Sequence, residues 1–200
     1  MEALITPTIQ NMVFTASLGV PLNIKHIARM QHSRVDLNPC KFASSIFRSM
    51  WPRTTILLFS TGKVVVTGCK TRWCAFTSVR DIIAMLNGIG YAIQNMQITL
   101  QNVVGSTHAG MKIDTDYLAQ ELQEEGSHEA ELFPGFVYRP YDANVTLLCF
   151  KSGKMVLTGC SDENDIANAQ KYVERIKEIT RKRKDAVGEV HKYSKRVRLE

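Results

Sequence analysis

The chain has 200 residues, 44% hydrophobic and 22% charged, with a net charge of +6; this fits one large or two small globular domains and excludes wholesale disorder. Apolar runs such as Ile56 to Phe59 fall far short of the ~18 residues a membrane-spanning helix needs, and the start Met-Glu-Ala-Leu-Ile-Thr-Pro lacks a signal-peptide pattern, so the sequence reads as soluble and intracellular with no membrane partner. The charge is uneven: residues 181–200 hold eight Lys/Arg against three acids, residues 7–96 ten against two, and residues 97–180 seven against thirteen, so the folded body is close to neutral and its high isoelectric point is no argument for a polyanion partner.

In chain order, a first strand is predicted around Gln10 to Val13 and a short helix near Ile24 to Met30. Thr54 to Phe59 and Val64 to Thr67 are β-branched and apolar runs around Ser60-Thr61-Gly62-Lys63, which is a hairpin signature. Ala75, Val79, Ile82 and Leu86 then recur at helical spacing. The succession returns with a strand at Gln101 to Val104, a short helix near Tyr117 to Leu122, and a hairpin of Val145 to Phe150 with Met155 to Thr158. It ends in one helix with Asp162 as N-cap and Ile166, Ala169, Val173 and Ile176 on its apolar face. The five cysteines, Cys40, Cys69, Cys74, Cys149 and Cys160, form no Cys-x-x-Cys pair, so they read as buried free thiols and signal neither a disulfide framework nor a metal site.

Sliding the chain against itself explains the recurrence. At an offset of 91, Gln10-Asn11 falls on Gln101-Asn102, Val13 on Val104, Phe42 on Phe133 and Arg48 on Arg139. Thr55, Leu57 and Phe59 fall on Thr146, Leu148 and Phe150; Gly62-Lys63 on Gly153-Lys154; Val65 on Val156; and Thr67-Gly68-Cys69 on Thr158-Gly159-Cys160. No gap is needed. Two repeats, residues 7–96 and 97–180, are therefore expected to pack about a pseudo-twofold axis, with 181–200 as a basic C-terminal tail.

Side chains alternate along a strand, so Ile56 and Leu58 face one side and Leu57 and Phe59 the other. Both sides are apolar, and the few helices can cover only one. The other, carrying Leu57, Phe59, Val65, Leu148, Phe150 and Val156, stays open and is a candidate binding surface; a second copy of the free chain, or a loop, is the alternative cover. Asn11, Asn102, Thr67 and Thr158 can exchange hydrogen bonds with base edges, and Lys41, Arg48, Lys63, Lys70, Arg139, Lys151 and Lys154 can flank the face. An apolar centre with a cationic rim suits a DNA minor groove, where apolar side chains wedge between base steps and basic groups hold the backbone.

Several stretches together carry a resemblance: Gln10-Asn11-Met12-Val13, Asn38-Pro39-Cys40-Lys41-Phe42-Ala43, Pro52-Arg53-Thr54-Thr55, Phe59-Ser60-Thr61-Gly62-Lys63, Gln101-Asn102-Val103-Val104-Gly105-Ser106, Glu131-Leu132-Phe133-Pro134-Gly135 and Phe150-Lys151-Ser152-Gly153-Lys154. Over roughly residues 5–180 the chain resembles the conserved core of the TATA-box-binding protein family, itself a type example of minor-groove bending. The resemblance implies an α+β saddle of two tandem repeats, a continuous curved antiparallel sheet with helices on its convex face. It implies intercalating roles for Phe42, Phe59, Phe133 and Phe150, and base reading by Asn11, Asn102, Thr67 and Thr158. Val13, Leu57, Val65, Val104, Leu148 and Val156 would contact the groove floor, and Ala43 against Pro134 repeats an asymmetry the family shows beside its paired phenylalanines. The partners implied are double-stranded TATA-box DNA, a transcription factor IIB-like protein at Glu129 and Glu131, a transcription factor IIA-like protein and other associated factors, with RNA polymerase recruited in turn. Glu129 and Glu131 precede Phe133 by four and two residues, so an extended approach would put all three on one side. Two departures stand out: Ser161 follows Cys160 where the family usually has Lys, and the Trp73 to Asn87 helix holds only Arg80 where the family's is rich in Lys and Arg.

The alternatives are a paralogue or scaffold with relaxed DNA specificity and an accessory domain of a nucleic-acid enzyme. Asp114, Asp116, Glu121, Glu124 and Glu125 cluster near one short helix, and His26, His32, His108, His128 and His191 lack metal-ligand spacing, so no catalytic constellation, cofactor or metal is signalled. Arg181-Lys182-Arg183-Lys184 and Lys195-Arg196-Val197-Arg198 read as nuclear targeting or nonspecific nucleic-acid contact, and the nucleus is the expected location.

Overall fold

The computed structural model describes residues 6–31, 34–37, 43–94 and 96–197, with side chains through residue 185. The chain divides into two compact units, Ile9–Val103, and Val104–Glu200 together with Met1–Thr8.

The first unit contains β1 (Thr8–Ser17), α1 (Ile24–Met30), β2 (Val35–Leu37), β3 (Ser44–Met50), β4 (Arg53–Phe59), β5 (Lys63–Cys69) and α2 (Arg72–Gly88). Its sheet runs β2-β3-β4-β5-β1, and the opening residues of β6 (Gln97–His108) lie next to β1. Pairing along the first five strands is antiparallel throughout. Strand faces differ sharply in cover: Phe14, Ala16, Ile56, Leu58, Val64 and Val66 are buried, whereas Val13, Leu57, Phe59 and Val65 between them are half-buried. The cover comes from α2, which packs on β4 and β5. Thr71 caps α2 by accepting the Cys74 N–H, and the expected Ala75, Val79, Ile82 and Leu86 are all fully buried.

In the second unit the rest of β6 is followed by α3 (Thr115–Glu121), β7 (Gly126–Ser127), β8 (Gly135–Tyr138), β9 (Thr146–Phe150), β10 (Lys154–Cys160), α4 (Glu163–Asn168) and α5 (Gln170–Val197), with strand order β6-β10-β9-β8-β7. Leu147, Cys149, Met155, Leu157, Phe136 and Tyr138 fill its core with Ile166, Val173 and Ile176. The single helix expected after Asp162 is two helices. Asp162 and Asp165 form a capping box on α4, and Ala169 ends it, its carbonyl then accepting from Tyr172 and Val173 to start α5. The break keeps Ile166, Ala169, Val173 and Ile176 all buried. Helix α5 continues to Val197, through most of the segment expected as a basic tail.

Both hairpin turns need glycine for the same reason. Gly62 (φ +84°) and Gly153 (φ +97°) occupy the left-handed region, where L side chains are disfavoured. A Cβ at Gly62 would stand 2.1 Å from the Val20 carbonyl oxygen, and one at Gly153 2.2 Å from that of Met111.

Candidate nucleic-acid interface

In the unit Ile9–Val103, register lines up the half-covered face. Ile46 pairs with Leu57, Leu57 with Val65 and Val65 with Thr15, so one apolar row crosses β3, β4 and β5 and ends on the Thr15 hydroxyl of β1. A second row is polar, Arg48 opposite Thr55 and Thr55 opposite Thr67. Asn11 is held beside it: Oδ1 accepts the Gly68 N–H at 2.8 Å and Nδ2 donates to Thr67 Oγ1 at 3.3 Å. Those bonds fix which way the amide faces. Thr67, accepting here, retains its own hydroxyl hydrogen for a further acceptor. Arg48 is exposed and ion-paired with Asp36, and Lys63 is exposed at the start of β5. Asn102 is half-buried on β6. Lys41 and Phe42 lie outside the described residues.

The unit Val104–Glu200 repeats the arrangement. Val137 pairs with Leu148 and Leu148 with Val156, while Thr146 pairs with Thr158, and Val104 is half-buried on β6. Phe133 and Phe150 meet edge to face, centroids 5.7 Å apart at 62°. Gly135, opposite Phe150 in the β8–β9 ladder, makes this possible: a Cβ there would stand 2.7 Å from Phe133 Cε1 and 3.3 Å from Phe150 Cε1. Pro134, Arg139 and Lys154 are exposed around the pair's strands, and Lys151 Nζ lies 3.4 Å from Asp116 Oδ2.

One expectation fails. The approach to Phe133 is a turn: the Glu129 carbonyl accepts the N–H groups of both Leu132 and Phe133, each at 2.9 Å. Alternation therefore does not put Glu129, Glu131 and Phe133 on one side. Both glutamates are exposed, and Leu132 beside them is 81% exposed.

Behind the second face lies a part-buried polar anchor, with Tyr138 fully buried and Arg175 reaching the surface. Arg175 grips Glu125 with two bonds of 2.7 and 3.0 Å and donates to Tyr138 Oη at 2.6 Å, while Tyr138 donates to Glu125 at 3.1 Å. The Arg175 hydrogen bonds hold the Glu125 carboxyl below the usual range, and burial pushes the Tyr138 phenol up to about 12.

Sequence reasoning missed Ile46 and Val137, which extend the apolar rows although they too are 91 residues apart, and it gave no role to Gly135 or His128. Among the described residues, no group of three His, Cys, Asp or Glu could hold a metal, and no helix is long and apolar enough to cross a membrane. The outward side of α2 carries Trp73, 64% exposed, and Phe76, 51% exposed.

Two repeated α+β units, each with one sheet face packed by helices and the other presenting an apolar row beside hydroxyl and cationic groups, define a duplicated binding protein. A family model described as "Transcription factor TFIID (or TATA-binding protein, TBP)" matches residues 6–89 and 97–179. The TATA-box-binding protein of Acetabularia peniculus is 37% identical over 179 residues, covering 90% of this chain and 93% of that protein. TATA box-binding protein-like 2 of Danio rerio is 38% identical over 165 residues, 82% of this chain; the chain spans 53%, about half, of that longer relative. A solved structure, Methanococcus jannaschii TBP, is similar with a TM-score of 0.73 and 30% identity, covering 88% of this chain and 99% of that one. The chain belongs to the TATA-box-binding protein family. It is a general transcription initiation factor of that family.

Proposed function

We propose that the chain binds TATA-box DNA in the minor groove and bends it, with residues 7–96 and 97–180 as the two DNA-reading repeats. Phe42, Phe59, Phe133 and Phe150 are the wedges, entering between base steps and unstacking them. Val13, Leu57, Val65, Val104, Leu148 and Val156 lie on the groove floor, and Asn11, Asn102, Thr67 and Thr158 bond the acceptor atoms there. Lys41, Arg48, Lys63, Arg139 and Lys154 hold phosphates, Arg48 by exchanging Asp36 for the backbone, and Pro134 packs beside the Phe133 wedge. The observation that carries the reading is the edge-to-face pair of Phe150 on β9 and Phe133 just before β8, over Gly135 and half-exposed: large aromatic rings left out of a core that β8 and β9 fill with their other face.

Glu129 and Glu131, exposed on a turn beside this pair, receive a cationic transcription factor IIB-like protein once DNA is bound, and through it RNA polymerase. A transcription factor IIA-like protein and other associated factors are further partners, and the site of action is the nucleus. The basic segment 181–200 adds nonspecific attraction. A gel shift with a TATA duplex against a scrambled duplex tests the reading: selective retardation is expected, and equal retardation of both would favour a scaffold with relaxed specificity.

A further inference from the structure

His128 stands between the edge strand β7 and the turn that leads to Phe133, and its side chain is only 5% exposed. Nδ1 lies 3.2 Å from the Gly135 carbonyl oxygen. A carbonyl only accepts, so this nitrogen carries the hydrogen. Nε2 lies 3.3 Å from Asp116 Oδ1 on α3, close enough for an ion pair, yet it has no hydrogen-bond partner. A neutral ring protonated at Nδ1 would turn a bare lone pair toward that carboxylate, whereas the imidazolium satisfies the carbonyl and attracts the carboxylate together. The charged groups around it are Asp116, Lys151, whose Nζ reaches Asp116 Oδ2 at 3.4 Å, and Glu129 and Glu131 on its own loop.

The atom His128 holds belongs to Gly135, the residue whose missing side chain makes room for Phe133 and Phe150. On its β9 side Gly135 is paired with Phe150, but on its other side the β7–β8 ladder, Gly126 with Tyr138 and Ser127 with Val137, stops short of it. We propose that His128 is a positioning residue for DNA bending, a tether from α3 to the start of β8 that sets the Phe133–Phe150 pair in its wedging position and tightens when the ring is charged. The proposal rests on the minor-groove reading above and names the group that preorganises one of its wedges. Fixing the loop before DNA arrives removes an ordering cost from the bound state.

The test is dissociation of a doubly dye-labelled TATA duplex, with bending read by energy transfer, at pH 5.5 and pH 8.0 and constant salt. His26, His32, His108 and His191 are common to every variant. The native chain should release bent DNA faster at pH 8.0, and H128A should release it about three- to tenfold faster at pH 5.5, the scale of one net hydrogen bond. H128Q keeps a donor for Gly135 without a titrating charge and should restore most of the bend while flattening the pH response. D116N, a change at an exposed carboxylate, should flatten it as well. Thermal unfolding of each variant identifies any loss of fold, and D116N and H128Q carry the test if H128A unfolds. Native-like release and pH response in H128Q and D116N would overturn the inference while F133A still loses bending. A native chain that binds no TATA duplex would overturn the minor-groove reading and this inference with it.

Discussion

Phe133 and Phe150 touch each other but are only half-covered, so truncating either should cost binding more than folding. Phe133→Ala or Phe150→Ala is expected to weaken TATA affinity by about 2 kcal/mol or more, the scale of an aromatic hot spot, and to reduce bending, with thermal unfolding nearly unchanged. Loss of fold in both variants would put the rings in the core. Gly135→Ala acts on the same pair from below. Its methyl would collide with the Phe133 ring, so bending should fall although no wedge is removed. Glu131 belongs to a different interaction: Glu131→Arg should leave binary DNA binding equal or slightly stronger and weaken a ternary complex with a transcription factor IIB-like protein by about 2–5 kcal/mol. A ternary gel shift checks it, and an undiminished ternary band would make the glutamates a solvated face.

At the scale of elements, how much was readable depends on whether sequence-local physics decides the outcome. Leu57, Phe59 and Val65 were assignable to an uncovered face because strand alternation is local and the 91-residue repeat gave each a counterpart. Helix α2 was legible from Ala75, Val79, Ile82 and Leu86 for the same reason. The turn at Glu129 was not, because it forms through one carbonyl accepting two backbone hydrogens over residues 129–133, which hold no Gly or Pro themselves although Pro134-Gly135 follow directly. Nor was the His128 contact, since its partners Asp116 and Gly135 are twelve and seven residues away on different elements. The Glu125–Arg175 pair likewise spans fifty residues. Its sign is defined. Arg175 lowers the folded pKa of Glu125, so the pair stabilises the fold at pH values above the ordinary glutamate pKa of about 4.3 and loses that contribution as pH falls through the depressed folded value. Urea unfolding of the native chain and Glu125→Gln between pH 7 and pH 3 should therefore show a gap at neutral pH that closes on acidification; a constant gap would mean the pair matters only through packing. On the other unit, Ile82→Ala in α2 should cost about 2–5 kcal/mol, as for a fully buried aliphatic side chain.

Charge acts at the scale of the whole molecule. The body is near neutral, and two rim cations are already partnered, Arg48 by Asp36 and Lys151 by Asp116, so electrostatics supplies a limited share of specific binding. If about six basic residues neutralise phosphates, log affinity should fall with log salt at a slope of roughly −5. The far end of α5 is separable from this: Arg183 stacks over Tyr117 and pairs with Asp114, so a chain ending at residue 185 keeps that contact while losing four Lys/Arg. Its nonspecific affinity should drop more than its preference for TATA. The central claim is that the uncovered sheet faces grip the minor groove and bend the duplex, and energy transfer between dyes at the two ends of a TATA duplex measures that directly. Saturating native chain should raise the transfer efficiency on the TATA duplex and not on a scrambled one, with the rise reduced by Phe150→Ala. Tight binding with the end-to-end distance of free, straight DNA would contradict it.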